Sequence, residues 1–319
     1  MKLKVNKIQI KENISTITKL SKKNSNSNDR LISDLPPEIL LKILKFVPDT
    51  DLVRNVSKVS KNFNNLSKDG SITLSIQLSP KLSLDVGQNF FSQRSHQIRE
   101  LTFFKTPLNV LQTFAPVIAS LPKLVGIKIS LLDDQLPTNF LTEIFDRQRL
   151  KILIVRGTRA RPNLKKIEKC QTLKHLQLDH YITLQELKQI SSLKNLKSLE
   201  LTISAGIYLE DFVQVFQSSS WSSLEELTVT FVTMNTECLE VIGRKCPNLI
   251  RLWIYSVCQD EAVASSGINS LLSSSPKLSF VFFTFNHLEE SLKDCGKLSK
   301  NFDVQYSSGI LPCVSFAKS

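Results

Sequence analysis

The chain has 319 residues, 41% of them apolar, which is enough for about two domains with a sizeable core. Its longest apolar runs, such as 278–285, fall well short of the ~18–20 residues of a membrane span, and no secretory-type apolar segment is seen near residue 1, so no membrane association is expected. The formal charge is +12, and residues 1–30 supply half of it with eight Lys/Arg against two Asp/Glu, so the remainder is only mildly basic.

Residues 1–30 have no Pro, Gly or aromatic residue and end in a Ser/Asn/Lys run. They are expected to form a disordered basic tail, with a transient amphipathic segment at 8–20.

Residues 31–70 have helical period. Pro36 and Pro37 suit a first turn, where a missing N–H costs nothing, and Glu38 suits the positive end of the helix dipole. Leu40, Ile43, Leu44 and Val47 follow at three- and four-residue spacing. Pro48 ends that helix, and Asp49 or Thr50 is expected to cap the next. Leu52, Val53, Val56 and Val59 make a second stripe, and Phe63 and Leu66 a third. Forty residues in three short helices bury little surface alone, so they need a partner.

From residue 71 the texture changes to a repeat, apolar-x-x-apolar-x-apolar. It reads IRELTF, LVGIKI, LKILIV, LKHLQL, LKSLEL, LEELTV, LIRLWI and LSFVFF, beginning at residues 98, 124, 150, 173, 196, 224, 249 and 278. The spacings of 26, 26, 23, 23, 28, 25 and 29 lie in the window of leucine-rich repeats. ITLSIQL from Ile72 is expected to lead as a strand and FDVQY from Phe302 to close the array. Each repeat supplies a short strand with alternate residues inward, and segments such as 210–217, 238–246 and 268–274 return the chain as helices. Stacking then buries the apolar face that no single repeat can bury.

The residue three before a repeat is often apolar: Leu121, Cys170, Leu193, Trp221 and Cys246. Two cysteines thereby have a packing role. The six cysteines, at 170, 238, 246, 258, 295 and 313, form no CxxC pair and no zinc spacing with histidine, so free thiols in a reduced cytoplasmic or nuclear setting are expected.

No catalytic motif, metal site or cofactor loop is present in the sequence, and an enzyme is not expected. His175 and Asp179 fall on one strand face four residues apart, a pattern more typical of solvated surface than of a dyad. The adjacent Glu225 and Glu226 point to opposite faces or into a turn.

The stretch LPPEILLKILKFVPDTDLVRNVSKVSKNFNNLS resembles the F-box, through Leu35-Pro36, Glu38-Ile39-Leu40, Ile43, Val47, Asp51-Leu52, Val56, Val59 and Phe63. The remainder resembles the repeats of F-box/leucine-rich-repeat proteins, with CLEVIGRKCPNLIRLWIYSVC the nearest segment, although Cys258 stands one residue late for their cysteine pattern. The resemblance implies an α/β solenoid, a three-helix F-box ahead of a leucine-rich-repeat horseshoe with a parallel concave sheet. It divides the chain into a tail at 1–30, an F-box at 31–70, repeats at 71–306 and a C-terminal tail at 307–319.

It further implies a substrate-recognition subunit of an SCF-type ubiquitin ligase. The F-box would dock on a Skp-type linker, and through it on cullin and RING subunits. Leu35, Pro36, Ile39, Ile43, Leu52 and Val59 are the expected linker contacts, with Ile32 a candidate addition; part of this set must instead be the motif's own core. The repeats would bind a substrate protein.

On the concave face the third, fifth and seventh positions of each repeat point outward. Gln177, Glu200 and Thr228 make its middle polar, with Asp179 a seventh-position neighbour. The last two repeats differ: Arg251, Trp253, Tyr255, Phe280 and Phe282 form one patch of hot-spot residue types. Three readings stay open: a substrate site, a surface covered by the segment from 307, or core in another register. A cullin-independent interaction module and a basic nucleic-acid-binding solenoid are the alternatives in function. Lys128, Arg156, Arg159 and Arg161 lend the latter some support, but Glu100, Asp179, Glu200 and Glu226 interrupt any basic track, so nucleic acid is not expected as a partner.

Overall fold

The computed structural model describes residues 32–78, 83–131, 140–146, 149–157, 162–204, 206–231, 235–256, 265–284, 302–308 and 312–318. The basic tail, Arg159, Arg161, Cys258, Cys295 and His287 lie outside these. The chain divides into two compact units, 1–67 and 68–319.

The first unit is helical. A 3-10 turn at Ile32–Asp34 precedes α1 (Pro37–Leu44), and α2 (Asp49–Arg54), a 3-10 turn at Val56–Lys58 and α3 (Lys61–Ser67) follow. Pro36 and Pro48 take the N-cap positions of α1 and α2. The expected cap at Asp49 or Thr50 is thus one or two residues late; Asp49 and Asp51 instead place carboxylates in the first turn of α2, at the positive dipole end. Ser60 caps α3, its Oγ accepting from the Phe63 N–H at 3.2 Å. The core of this unit is Leu40, Leu44, Leu52 and Phe63.

The second unit is built on one sheet of eleven strands, ordered β1 to β9 and then β11 and β10. Strands β1 (Leu74–Leu78), β2 (Ile98–Phe104), β3 (Gly126–Ser130), β4 (Ile152–Arg156), β5 (His175–Ile182), β6 (Ser198–Ile203), β7 (Glu226–Phe231), β8 (Arg251–Ser256) and β9 (Phe280–Thr284) are parallel neighbours in chain order. Helices α4 (Leu84–Arg94), α5 (Leu108–Ser120), α6 (Phe140–Phe145), α7 (Leu184–Ile190), α8 (Leu209–Ser218), α9 (Thr236–Lys245) and α10 (Ser265–Ser274) return the chain between strands. This is a solenoid of α/β repeats, as the spacing implies. Among the described residues no helix is long and apolar enough to cross a membrane.

Register explains the buried pattern. Leu101, Ile127, Leu153, Leu176, Leu199, Leu227, Leu252 and Val281 pair strand to strand, and each is essentially inaccessible. Phe103, Ile129, Val155, Leu178, Leu201, Val229, Ile254 and Phe283 form a second such column. Fully burying a side chain of this kind is worth about 1.5–3 kcal/mol. The columns continue through every repeat, so the core is shared rather than local.

The buried residue three before a repeat is the first residue of a tight turn. The carbonyls of Cys170, Trp221, Cys246 and Ser275 accept from the N–H of Leu173, Leu224, Leu249 and Leu278 at 2.9–3.1 Å. Between α9 and α10 the backbones approach closely at Gly243, where a Cβ would stand 2.8 Å from the Leu271 Cα.

Cys170, Cys238 and Cys246 are buried free thiols. Burial pushes the Cys170 and Cys246 thiols up to about 12, with the charges of Glu168 and Asp146 adding to the effect at Cys170. Almost no thiolate exists at neutral pH, and the thiolate is the reactive form. Reaction of the native protein with an aromatic disulfide should therefore leave these three cysteines unlabelled by peptide mass spectrometry, and denaturant should release them; labelling of Cys170 or Cys246 within minutes would contradict the packing.

Two expectations change. The segment 307–319 is not simply a tail: β11 (Pro312–Lys318) pairs antiparallel with β9, and β10 (Phe302–Ser308) pairs antiparallel with β11. A hairpin therefore ends the parallel array, and FDVQY lies in its outer strand. In β5 the register slips between Leu178 and Tyr181, so Tyr181, not Asp179, stands opposite Thr202. His180, in the slip, is buried with neither ring nitrogen hydrogen-bonded; its Nε2 lies 3.7 Å from Glu186 Oε1. Glu186 is held in a capping box with Thr183 at the start of α7.

Candidate functional site

Helix α1 carries apolar residues on two faces. Leu40 and Leu44, four apart, face the core. One position earlier, Ile39 and Ile43 form a parallel stripe that stays exposed, at 39% and 38%. Pro36 lies three residues before Ile39, and Phe46 three after Ile43. Both are exposed, Phe46 at 90%; Pro36 is the N-cap of α1 and Phe46 follows its C-cap, so they flank the Ile39–Ile43 stripe at its two ends. Ile32 and Val59 are exposed as well. Large apolar groups so concentrated in one small unit mark a surface meant to be covered.

The six residues expected to meet a linker separate by burial. Pro36, Ile39, Ile43 and Val59 are exposed and Leu35 is half-buried, whereas Leu52 is fully buried. Leu52 belongs to the core of the unit, because α2 turns it inward against the other helices. Phe46, just past the end of α1, was not among the expected contacts although it is the most exposed large apolar side chain of the unit's described residues.

In the second unit, the face of the sheet not covered by helices carries the other candidate surface. Arg251 stands opposite Phe280, Trp253 opposite Phe282 and Tyr255 opposite Thr284. The rings, however, pair diagonally: Trp253 meets Phe280 at 5.3 Å and 45°, and Tyr255 meets Phe282 at 5.5 Å and 49°. Val281, Phe283 and Thr284 are the buried residues of β9, while Phe280, Phe282 and Trp253 are half-exposed and Tyr255 exposed. The reading that made these aromatics core therefore does not hold.

On the other side of β9, Ser315 and Ala317 of β11 stand in register with Phe282 and Phe280. The C-terminal strand thus lies beside the aromatics rather than over them, and it presents small residues there. Arg251 is engaged by an ion pair to Glu226, which also accepts from Ser198 Oγ at 3.3 Å.

Residues 32–74 match the family model of the F-box domain. Residues 32–74 are an F-box domain. No curated protein sequence matches the chain. Among solved structures, a chain in the crystal structure of the Rad7 and Elc1 complex in yeast aligns over 84% of this chain and 76% of its own length, with 18% identity and a TM-score of 0.41.

In the second unit, the middle of the open sheet face is a polar network. Lys128 pairs with Glu100 at 3.0 Å, Arg156 donates to Gln177 at 3.1 Å, and Gln177 donates to Asp179 at 3.3 Å. Asp179 thus accepts from Gln177, and the expected surface character of the His175–Asp179 pair agrees with the exposure of His175. The cations that gave some support to nucleic-acid binding, Lys128 and Arg156, are engaged by neighbours on the same sheet.

Glu200, opposite Gln177, has its proton affinity raised by burial and by the Asp179 charge, against the opposing pull of Arg156 and Gln177. A raised carboxylate means that the ionised form costs stability, and that the cost vanishes as pH falls through the folded-state value. Glu200→Gln should raise the melting temperature at neutral pH, by about 1–2 °C for a half-exposed group, and the gain should disappear in acid. A loss of stability at neutral pH would contradict the assignment.

Proposed function

We propose that the protein is the substrate-recognition subunit of an SCF-type ubiquitin ligase. The observation that carries this reading is the exposed stripe Pro36–Ile39–Ile43–Phe46 within the matched F-box domain. A Skp-type linker covers that stripe, with Leu35 and Val59 as further contacts, and joins the chain to cullin and RING subunits. The repeats bind the substrate protein through the aromatic strip of Trp253, Tyr255, Phe280 and Phe282, with Arg251 at its edge. The ring pairs supply rigid apolar area at low entropic cost, and Ser315 and Ala317 leave room beside them.

The chain itself performs no bond chemistry in this reading. It holds a substrate lysine near the ubiquitin-charged enzyme and raises its effective concentration. The work takes place in the cytoplasm or nucleus. Affinity purification of the tagged chain from cells tests the reading: linker and cullin should co-purify. Recovery of the linker without cullin would replace this reading with a cullin-independent module, and recovery of neither would end it.

A further inference from the structure

The N-terminal ends of the parallel strands lie in one register. Val125 N–H bonds to the Arg99 carbonyl at 2.8 Å, Lys151 to Val125 at 2.7 Å, Lys174 to Lys151 at 2.8 Å, Lys197 to Lys174 at 2.8 Å and Glu225 to Lys197 at 2.8 Å. Lys151, Lys174 and Lys197 therefore occupy the same position on three adjacent strands, with backbones about 5 Å apart. Arg99 continues the row two strands earlier, with Val125 on the strand between.

Several cations on this edge have structural employment. Lys123 Nζ donates to the Gly70 carbonyl at 2.6 Å and Arg149 to that of Pro122 at 3.1 Å. Asn195 and Asn248 make the equivalent bonds to Gln171 and Ser222 at 2.6 and 2.7 Å, so this position is a clamp between repeats that several donors can fill. Lys197 is paired with Glu225 at 2.5 Å. Lys151 and Lys174 are different. Both are exposed, and among the described residues neither side chain has an ion pair or hydrogen bond. Like charges placed directly opposite on neighbouring strands are destabilising. The arrangement thus costs stability with no return inside the molecule.

We infer that this edge, from Arg99 to Lys197, docks an extended acidic segment of a partner protein. The row is one cation deep and spans four strand steps, ~19 Å, the length of about six extended residues. Alternate residues of an extended chain present carboxylates to one side, which suits a single line of lysines. Among the described residues the polar neighbours of the row include Gln171, Thr172, Ser192 and Asn195, with Glu225 and His175 at its Lys197 end; no Phe, Tyr or Trp ring stands among them for a base to stack on, and this favours an acidic peptide over single-stranded nucleic acid. The inference uses neither the F-box nor the aromatic strip, so it stands or falls separately from the proposed function.

The test is fluorescence anisotropy of a fluorescein-labelled oligoglutamate with the full chain at low salt. Lys151→Gln with Lys174→Gln should weaken binding roughly fivefold or more, with the loss screened away at high salt. Lys151→Arg with Lys174→Arg should retain it. A charge-matched pair elsewhere, Lys188→Gln with Arg244→Gln, should change it by less than about twofold. The melting temperature of the edge variant should be unchanged or higher, since a like-charge contact is removed. Equal losses in both Gln pairs would reduce the effect to net charge and overturn the inference. Tighter binding of a labelled single-stranded DNA, lost on the same two substitutions, would overturn the partner class.

Discussion

Ile43→Asp and Phe46→Asp, made singly, should each abolish capture of a Skp-type linker while leaving the repeat unit folded. Both side chains are solvent-exposed in the free chain, so a carboxylate there remains hydrated and costs little. Under a linker the same carboxylate would be buried without a partner. A penalty of about 3 kcal/mol corresponds to more than a hundredfold loss of affinity. Leu52→Ala should lose binding by another route, because Leu52 is core. Truncating a buried leucine costs about 2–5 kcal/mol, a large share of what so small a helical unit has. Hydrogen exchange separates the cases: Leu52→Ala should expose amides throughout α1–α3, and the two aspartate variants should not. Wild-type capture by both aspartate variants would remove the stripe from the interface.

Trp253→Ala combined with Phe282→Ala should strip substrate proteins from the purified complex while the linker stays. The two residues belong to different ring pairs, so the double variant breaks both Trp253–Phe280 and Tyr255–Phe282. Truncating a hot-spot aromatic typically costs about 2 kcal/mol or more, roughly thirtyfold in affinity. The stability cost should be small, because both rings are half-exposed and the apolar columns behind them, through Ile254, Val281 and Phe283, are untouched. Cross-linked eluates of wild type and variant, compared by mass spectrometry beside a melting curve, check both halves. Unchanged substrate recovery would remove the strip from the site, and a fall of many degrees would make it core.

The repeat spacing made the solenoid legible, because a period of 23–29 residues with inward alternation leaves few ways to bury the apolar positions. The burial of Cys170 and Cys246 was legible for the same reason. What the pattern did not carry were features set by pairing rather than by period. The slip in β5 that replaces Asp179 with Tyr181 depends on where the ladder breaks, and both residues fit the alternation equally well. The antiparallel hairpin of β10 and β11 has no repeat signature, so 307–319 read as a tail. In the F-box, Leu52 and Ile43 are equally apolar, and only the packing of three helices decides which is core. The lysine row was already present in the repeat alignment, since Lys151, Lys174 and Lys197 stand second in LKILIV, LKHLQL and LKSLEL; the strand register adds that their backbones are direct neighbours.

Hydrogen–deuterium exchange of the full chain, alone and with a purified Skp-type linker, tests the adaptor account most directly. The account predicts a complex in which amides of α1 and the turn that follows it, residues 37–47, become protected together with the region of Val59, while exchange in the inward columns of the repeat sheet stays as it was. No complex at micromolar concentrations, or a complex whose protection falls on the repeat sheet and spares α1, would contradict it.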